Sequence, residues 1–232
     1  MDLIIEGVVQ AFRLLIQGDP EILRVTLLTL RVSGTATLVS LLLGLPIGLI
    51  LALTEFPGRR FLISLINTGM GLPPVVVGLW VSIFLWRYGP LGFLGLMYTP
   101  TAMIIAQAVI ATPMVAGIAM AGIAQLDPKL SLQIQALGAS RWQLWWLLIR
   151  EARLSILAAV IGGFGAVISE VGASQMVGGN ILHKTRVLTT ATVMEVAKGH
   201  FDMAIALSLI LMLLAYGVTL LLTLLQHRRR PS

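Results

Sequence analysis

The 232-residue chain contains no cysteine, which removes disulfide frameworks, zinc–thiolate clusters and thiol nucleophiles from consideration. Charge is also scarce: Asp, Glu, Lys and Arg make up 11% of the residues, well below what a water-facing domain carries. No Gly-x4-Gly-Lys-Ser/Thr run occurs, so the usual phosphate cradle is missing and any nucleotide energy has to come from another subunit. No His-Glu-x-x-His pair is present, and His183, His200 and His227 all fall outside the apolar stretches. Catalysis by this chain is therefore not expected, nor is a resident cofactor or metal.

What the chain has is hydrocarbon. Hydrophobic residues make up 57% of it, and the mean hydropathy of +0.95 marks an integral membrane protein whose first partner is the lipid bilayer. The net charge of +6 could suggest nucleic acid, but the basic residues sit in connections and in the tail, where they act as topology signals. Nucleic acid is not an expected partner. A bilayer core needs about 20 apolar residues as a helix, and five such stretches are found, at 22–53, 61–86, 100–124, 153–178 and 203–225. The expected fold is all-α, a polytopic membrane domain over residues 22–232 preceded by an N-terminal segment, 1–21. Arg31 falls inside the long first stretch and is expected near one end or facing protein.

The N-terminal segment opens on Asp2 and Glu6 instead of a basic patch, so no cleaved leader is expected. Asp2, Glu6, Gln10, Arg13 and Gln17 recur at helical spacing, with Ile5, Val8, Val9, Phe12, Leu15 and Ile16 on the other side. Two readings fit, a helix lying in the membrane interface and one packed on the protein's own spans. If the tail is cytoplasmic, the inside holds nine basic residues (Arg59, Arg60, Lys129, Arg141, Arg150, Arg153, Arg228, Arg229, Arg230). The outside then holds six (Arg13, Arg24, Arg87, Lys184, Arg186, Lys198). That bias predicts N-terminus out and C-terminus in.

Three features stand out from the oil. The second stretch is interrupted by Gly69, Gly71, Pro73 and Pro74, near its middle. Such a break survives in lipid only when protein or a water path covers it, and a helix restarting at Pro73 would aim a positive dipole end at mid-membrane; a plain packing kink is the alternative. The fourth stretch carries Glu170, on a face with Gly162, Ala166 and Ser174. Counted from Arg153 along a helix, Glu170 lies about 25 Å up, close to the outer surface, where pairing with Lys184 or Arg186 competes with a gating role. Beyond it, His183-Lys184-Thr185-Arg186 and the Thr189-Thr190 pair are either solvated or guides for an anion.

The third feature is the connection 125–152, which is unusually long. Asp127-Pro128 is a helix start, and Leu130, Ile134 and Leu137 form an apolar stripe. Gly138 suits a left-handed helix end, and Ser140-Arg141-Trp142-Gln143 has capping-box spacing, so a second helix is expected to run from there into the fourth span. Trp142, Trp145 and Trp146 read as headgroup anchors. The short first helix fits a groove in another protein, and a simple interfacial loop is the alternative.

"QALGASRW" in this connection resembles the ATPase-coupling loop of ABC importer permeases, with Gly138 on that pattern's glycine and Leu132-Gln133-Ile134 on its Glu-Ala-Ala. The conserved pattern's later Leu-Pro falls on Arg150-Glu151, a departure. "ISEVGASQMVGGN", "TRVLTTA", "KGHFDMAIAL", "LTLRVSGTATLVSLLLGLPIG" and "GLPPVVVGL" resemble the permeases of the tungstate branch of molybdate/tungstate importers. The resemblance covers nearly the whole chain. It implies a type I ABC importer permease fold, a multi-pass protein of a prokaryotic cytoplasmic (inner) membrane, a homodimer whose two copies enclose the path, two cytoplasmic ATPase subunits that bind ATP, and an extracytoplasmic oxyanion-binding protein. It places ATPase coupling on Leu130, Leu132, Ile134, Leu137, Gly138, Ala139 and Ser140. Path or gate candidates are Pro73, Pro74, Glu170, Ser174, Thr185, Arg186, Thr189 and Thr190. The competing expectations are an autonomous channel or ion-coupled carrier, and a non-transporting scaffold.

Overall fold

The computed structural model of the chain describes residues 2–227, without the side chains of residues 2–4, 15, 225 and 227. The basic tail used to orient the protein, 228–230, lies outside the described residues. Every regular element among these residues is helical: α1 (Asp2–Gln17), α2 (Pro20–Leu53), α3 (Arg59–Met70), α4 (Pro74–Leu85), α5 (Pro100–Ala124), α6 (Pro128–Ala136), α7 (Arg141–Glu151), α8 (Arg153–Ile168), α9 (Gly172–Gly178), α10 (Leu188–Lys198) and α11 (Phe201–His227), with one 3-10 turn at Gly92–Leu94. Three helices, α2, α5 and α11, are continuous, long and apolar enough to cross a membrane, and the number rises to five if the bent pairs α3–α4 and α7–α8 each count as one.

The centre of the molecule is the α2–α5 pair. Asp19 starts α2 by accepting the Glu21 and Ile22 N–H groups at 2.9 and 3.1 Å, and Pro20 follows at the first helical position, where its missing N–H is harmless. The buried side of α2 recurs at helical spacing through Val25, Thr29, Val32, Ala36, Ser40, Gly44 and Gly48. It meets Ala102, Ala106, Ala111, Val115, Ala116 and Ala119 of α5, all 0% exposed. Small residues here let the backbones approach closely: a Cβ at Gly48 would come within 2.6 Å of the Ala116 carbonyl oxygen. Dispersion and fitted contact hold helices together where lipid offers no hydrophobic gain. The hydroxyls of Thr29, Thr37 and Ser40 donate to their own helix, to Val25, Ser33 and Ala36 carbonyls, so the polar stripe is satisfied within α2. Arg31 is exposed on this helix.

α8 leans on α5 through Gly163 and Val115. The helix expected to run unbroken from residue 141 into the fourth span is instead two helices, α7 and α8, bent by 69° around Ala152. Ala152 is buried among Leu49 and Ile123, and this apolar anchorage sets where the chain turns. α1 packs on α11, with Gly7 against Ile205 and Ala11 buried, while Ile5, Val9, Phe12 and Ile16 stay uncovered. α10 joins α11 at a charged corner in which the Glu195 carboxylate accepts from Lys198 Nζ at 2.8 Å and meets His200 Nδ1 at 2.9 Å. The Lys198 hydrogen bond, with His200 helping, holds the Glu195 carboxyl below its ordinary value.

Two outcomes are expected. Gly48→Ala should lower the melting temperature of the detergent-purified chain, because the added methyl meets α5 backbone, whereas Gly34→Ala, which meets nothing within 4 Å, should be neutral or raise it by the helix-propensity gain of up to about 1 kcal/mol; equal effects would show that the α2–α5 approach is not tight. Glu195 is depressed in the folded state, so its contribution is complete above the ordinary carboxylate range and fades as pH falls through its folded value. The melting-temperature gap between the parent and Glu195→Gln should therefore be complete above the ordinary carboxylate range and close as pH falls through the lowered folded-state value. A gap that persists in acid would mean the charge contributes nothing.

Candidate functional site

The connection 125–152 folds as a helix, a corner and a second helix. Asp127 Oδ1 accepts the Lys129 N–H at 2.9 Å, and Pro128 begins α6. At the other end Gly138 takes φ +81°, a conformation open to glycine without the Cβ penalty. Its N–H donates to Gln135 O at 2.9 Å and that of Ala139 to Ile134 O at 3.3 Å. The capping box then forms: Ser140 N donates to Gln143 Oε1 at 2.8 Å, and Gln143 N to Ser140 Oγ at 3.4 Å.

The expected stripe of Leu130, Ile134 and Leu137 is not a single face. Ile134 is buried, and with Leu130 and Ala139 it packs on Leu144 and Leu148 of α7. Leu137 ends the helix and is 88% exposed, and Leu132 is 66% exposed. The pair at i and i+4 shares one side of the helix and takes the apolar bed that α7 offers, which turns Leu132 outward. α6 is therefore fixed to α7 by one face and presents Lys129, Leu132, Gln133, Ala136, Leu137 and Gly138 on the other, with Ser140 exposed beside them.

The apolar stretch breaks between α3 and α4, whose axes differ by 105°. Gly71 N and Leu72 N donate back to Thr68 O and Gly69 O at 3.0 and 3.4 Å. Pro73 and Pro74 have no N–H to give, and α4 restarts with the Val76 and Val77 N–H groups on the Pro73 carbonyl. Gly71, Leu72 and Pro73 are exposed, and no residue of α3 is buried. Among the described residues the break is left exposed.

A second break lies beside it. The helix expected to continue to residue 178 stops at Ile168, and α9 begins anew at Gly172. Glu170 sits in the gap, 5% exposed, and its Oε1 accepts the Ala173 N–H at 2.7 Å. The expected pairing with Lys184 or Arg186 is not formed: Arg186 Nη1 reaches Glu21 Oε1 at 3.4 Å instead. Once the helix is interrupted, the nearest unpaired donors are the first N–H groups of α9, and a carboxylate there satisfies them and the positive helix end together. The two restarts touch, since a Cβ at Gly172 would come within 2.5 Å of Val75 Cγ2, and one at Gly78 within 2.6 Å of Ala173 Cα. The α4 and α9 N-terminal turns thus lie side by side.

The threonines expected to be open to an anion are tied inward. Thr185 Oγ1 donates to Gly178 O at 2.6 Å and accepts from Ile181 N at 2.9 Å. Thr189 Oγ1 donates to Glu170 O at 3.0 Å, and Thr190 Oγ1 lies 3.0 Å from Asn180 Oδ1. All three are buried, because a turn entering the membrane region has to satisfy its own backbone. Ser174, fully buried, accepts from Gln107 Nε2 at 3.1 Å. Gln107, whose Oε1 has no partner among the described residues, was not singled out from the sequence, although it is the one side-chain amide in the 100–124 stretch.

Residues 44–231 match the family described as binding-protein-dependent transport system inner membrane component. The tungstate uptake system permease protein of Peptoclostridium acidaminophilum is 38% identical over 227 residues, 98% of this chain and 100% of the relative. A probable anion ABC transporter permease protein of Haloferax volcanii is 40% identical over 85% of this chain and 87% of its own. Among solved structures, the chain is similar in fold to a subunit of the methionine ABC transporter MetNI in an inward-facing conformation, with a TM-score of 0.76 at 20% identity, covering 91% of this chain and 97% of that one. A bacterial ABC transporter importing the acidic polysaccharide alginate gives a TM-score of 0.77 at 19% identity, covering 96% and 84%. With the family description spanning residues 44–231 and apolar helices able to cross a bilayer, the chain belongs to the inner membrane components of binding-protein-dependent transport systems.

Proposed function

We propose that this chain is the permease subunit through which a tetrahedral oxyanion, tungstate or the similar molybdate, is imported, working as two copies around a shared path. The relatives named for tungstate and for anion transport support the substrate class. The observation that carries the path is the uncovered break at 71–73. Backbone that is neither helical nor buried is not stable against lipid, so this segment faces water or a second copy, and a twofold axis beside α4 supplies both. The α4 start at Pro73 and Pro74 then points its positive end at the path, where an anion is stabilised. Glu170, Ser174, Thr185, Arg186, Thr189 and Thr190 hold the wall behind it through α9 and are assigned a supporting role.

Residues 22–232 form the permease domain, and residues 1–21 lie at the interface. The nine-to-six excess of basic residues supports an orientation with the α6–α7 corner and the C-terminus in the cytoplasm and the N-terminus outside. There the outer face of α6, with Leu132, Leu137 and Gly138, docks in a groove of an ATPase subunit, one per copy, while Leu130, Ile134, Ala139 and Ser140 fix α6 to α7. ATP is bound by those subunits and not by this chain, and a binding protein delivers the anion from outside.

Two measurements test this. In a chain without cysteine, Leu72→Cys should react with a charged thiol reagent in membranes, and Leu38→Cys, 62% exposed on α2 and facing lipid, should not; an unreactive Leu72→Cys would remove the path from this break. Uptake of labelled tungstate in liposomes should require the ATPase, and Gly138→Val should keep ATP hydrolysis while losing most uptake. A β-branched side chain at positive φ costs on the order of 1–2 kcal/mol, spent in distorting the corner that transmits motion. Transport by the chain alone would refute the subunit reading, and a parental ratio of ATP to tungstate in Gly138→Val would refute the coupling assignment.

A further inference from the structure

The α7 helix has a second face. Leu144 and Leu148 hold α6, with Trp145 packed beside them, and Trp142, Trp145 and Trp146 also close a groove of about 440 Å³ against Pro46, Leu49 and Ile50 of α2. Trp142 and Trp145 meet edge to face, with ring centroids 5.5 Å apart, which fixes one wall. Trp142 and Trp146 are 78% and 66% exposed, so the groove is open along its length and its lining is apolar. Because α7 bends by 69° from α8, it runs close to the membrane plane when α8 follows the bilayer normal, and the whole groove lies at headgroup depth.

Charge selects the occupant. At 100° per residue, Arg141 and Arg150 flank the tryptophan face on its two sides, and Glu151 falls opposite it. Both arginines are exposed, and neither has an ion-pair partner among the described residues. Arg141 is also the first residue of α7, where the helix's positive end adds to its guanidinium. An apolar trough on a helix flanked by two exposed arginines matches a molecule with a hydrocarbon chain and an anionic head.

We propose that this groove binds an acidic phospholipid, one acyl chain lying along Trp142, Trp145 and Trp146 and the headgroup phosphate held by Arg141, with Arg150 adding attraction from the far end. The site is independent of which anion is transported and of how α6 docks.

The test uses the full chain, carrying Trp80→Phe and Trp86→Phe so that only the three groove tryptophans emit, in phosphatidylcholine vesicles containing a minor fraction of phosphatidylglycerol. Bromine is placed on the acyl chains of one lipid or the other, at matched mole fraction. Brominated phosphatidylglycerol should quench as though enriched about fivefold at low salt, the gain that one basic side chain near the surface supplies. Arg141→Gln should bring the two lipids close to parity, while Arg60→Gln, at an exposed arginine that is neither on α7 nor in the groove lining, should leave the preference intact. Equal quenching by both lipids in the parent, or a preference that survives Arg141→Gln combined with Arg150→Gln, overturns the site. A loss as large in Arg60→Gln as in Arg141→Gln also overturns it, by showing a diffuse basic surface. If the tryptophan-depleted background fails to fold, the unsubstituted chain gives the same comparison at smaller amplitude.

Discussion

A backbone N–H or C=O facing hydrocarbon without a partner costs several kcal/mol, and the architecture follows from how this chain meets that constraint. Long helices satisfy it internally. Wherever the chain leaves a helix it needs a substitute donor or acceptor: the Asp19 carboxylate at the start of α2, Glu170 at the start of α9, Thr185 and Thr190 in the turn that follows. At the 71–73 break Gly71 and Leu72 donate back into α3 and the Pro73 carbonyl accepts from α4, but the segment is exposed among the described residues.

The tight α2–α5 seam gives the rest a fixed frame. Because alanine and glycine line both sides, the helices pack by shape, and a change of one methyl is felt directly by backbone atoms. Against this frame α8 and α9 are placed by Gly163 and Gln107, and α4 is placed in turn by α9. Function-bearing parts are thus attached in sequence to one rigid pair, in keeping with a subunit that is tilted by a motor outside the membrane.

Much of this was readable from residue order. The apolar stretches, the Asp127-Pro128 start, the left-handed Gly138 and the Ser140–Gln143 box all follow from local chemistry, which depends on neighbours a few positions away. The readings that changed depended on contacts across the fold. Periodicity joined Leu130, Ile134 and Leu137 into one stripe because it cannot see that α7 offers a bed on one side only. Continuity of apolar residues from Arg153 to Gly178 hid the gap at Glu170, since a break with its own cap has nearly the composition of an unbroken helix. Gln107 was passed over because its partner, Ser174, is distant in sequence, although an amide in an apolar stretch is itself a signal.

The side-by-side starts of α4 and α9 have a mechanical consequence. Val75 against Gly172 and Gly78 against Ala173 leave no slack between them, and α9 is in turn bolted to the turn at 178–190 by Thr185 and Thr189. That turn, α9 and the start of α4 form a single stiff plate. A displacement of any one of them is then shared by the others, a hinge-like swing and not the flutter of an unattached flap.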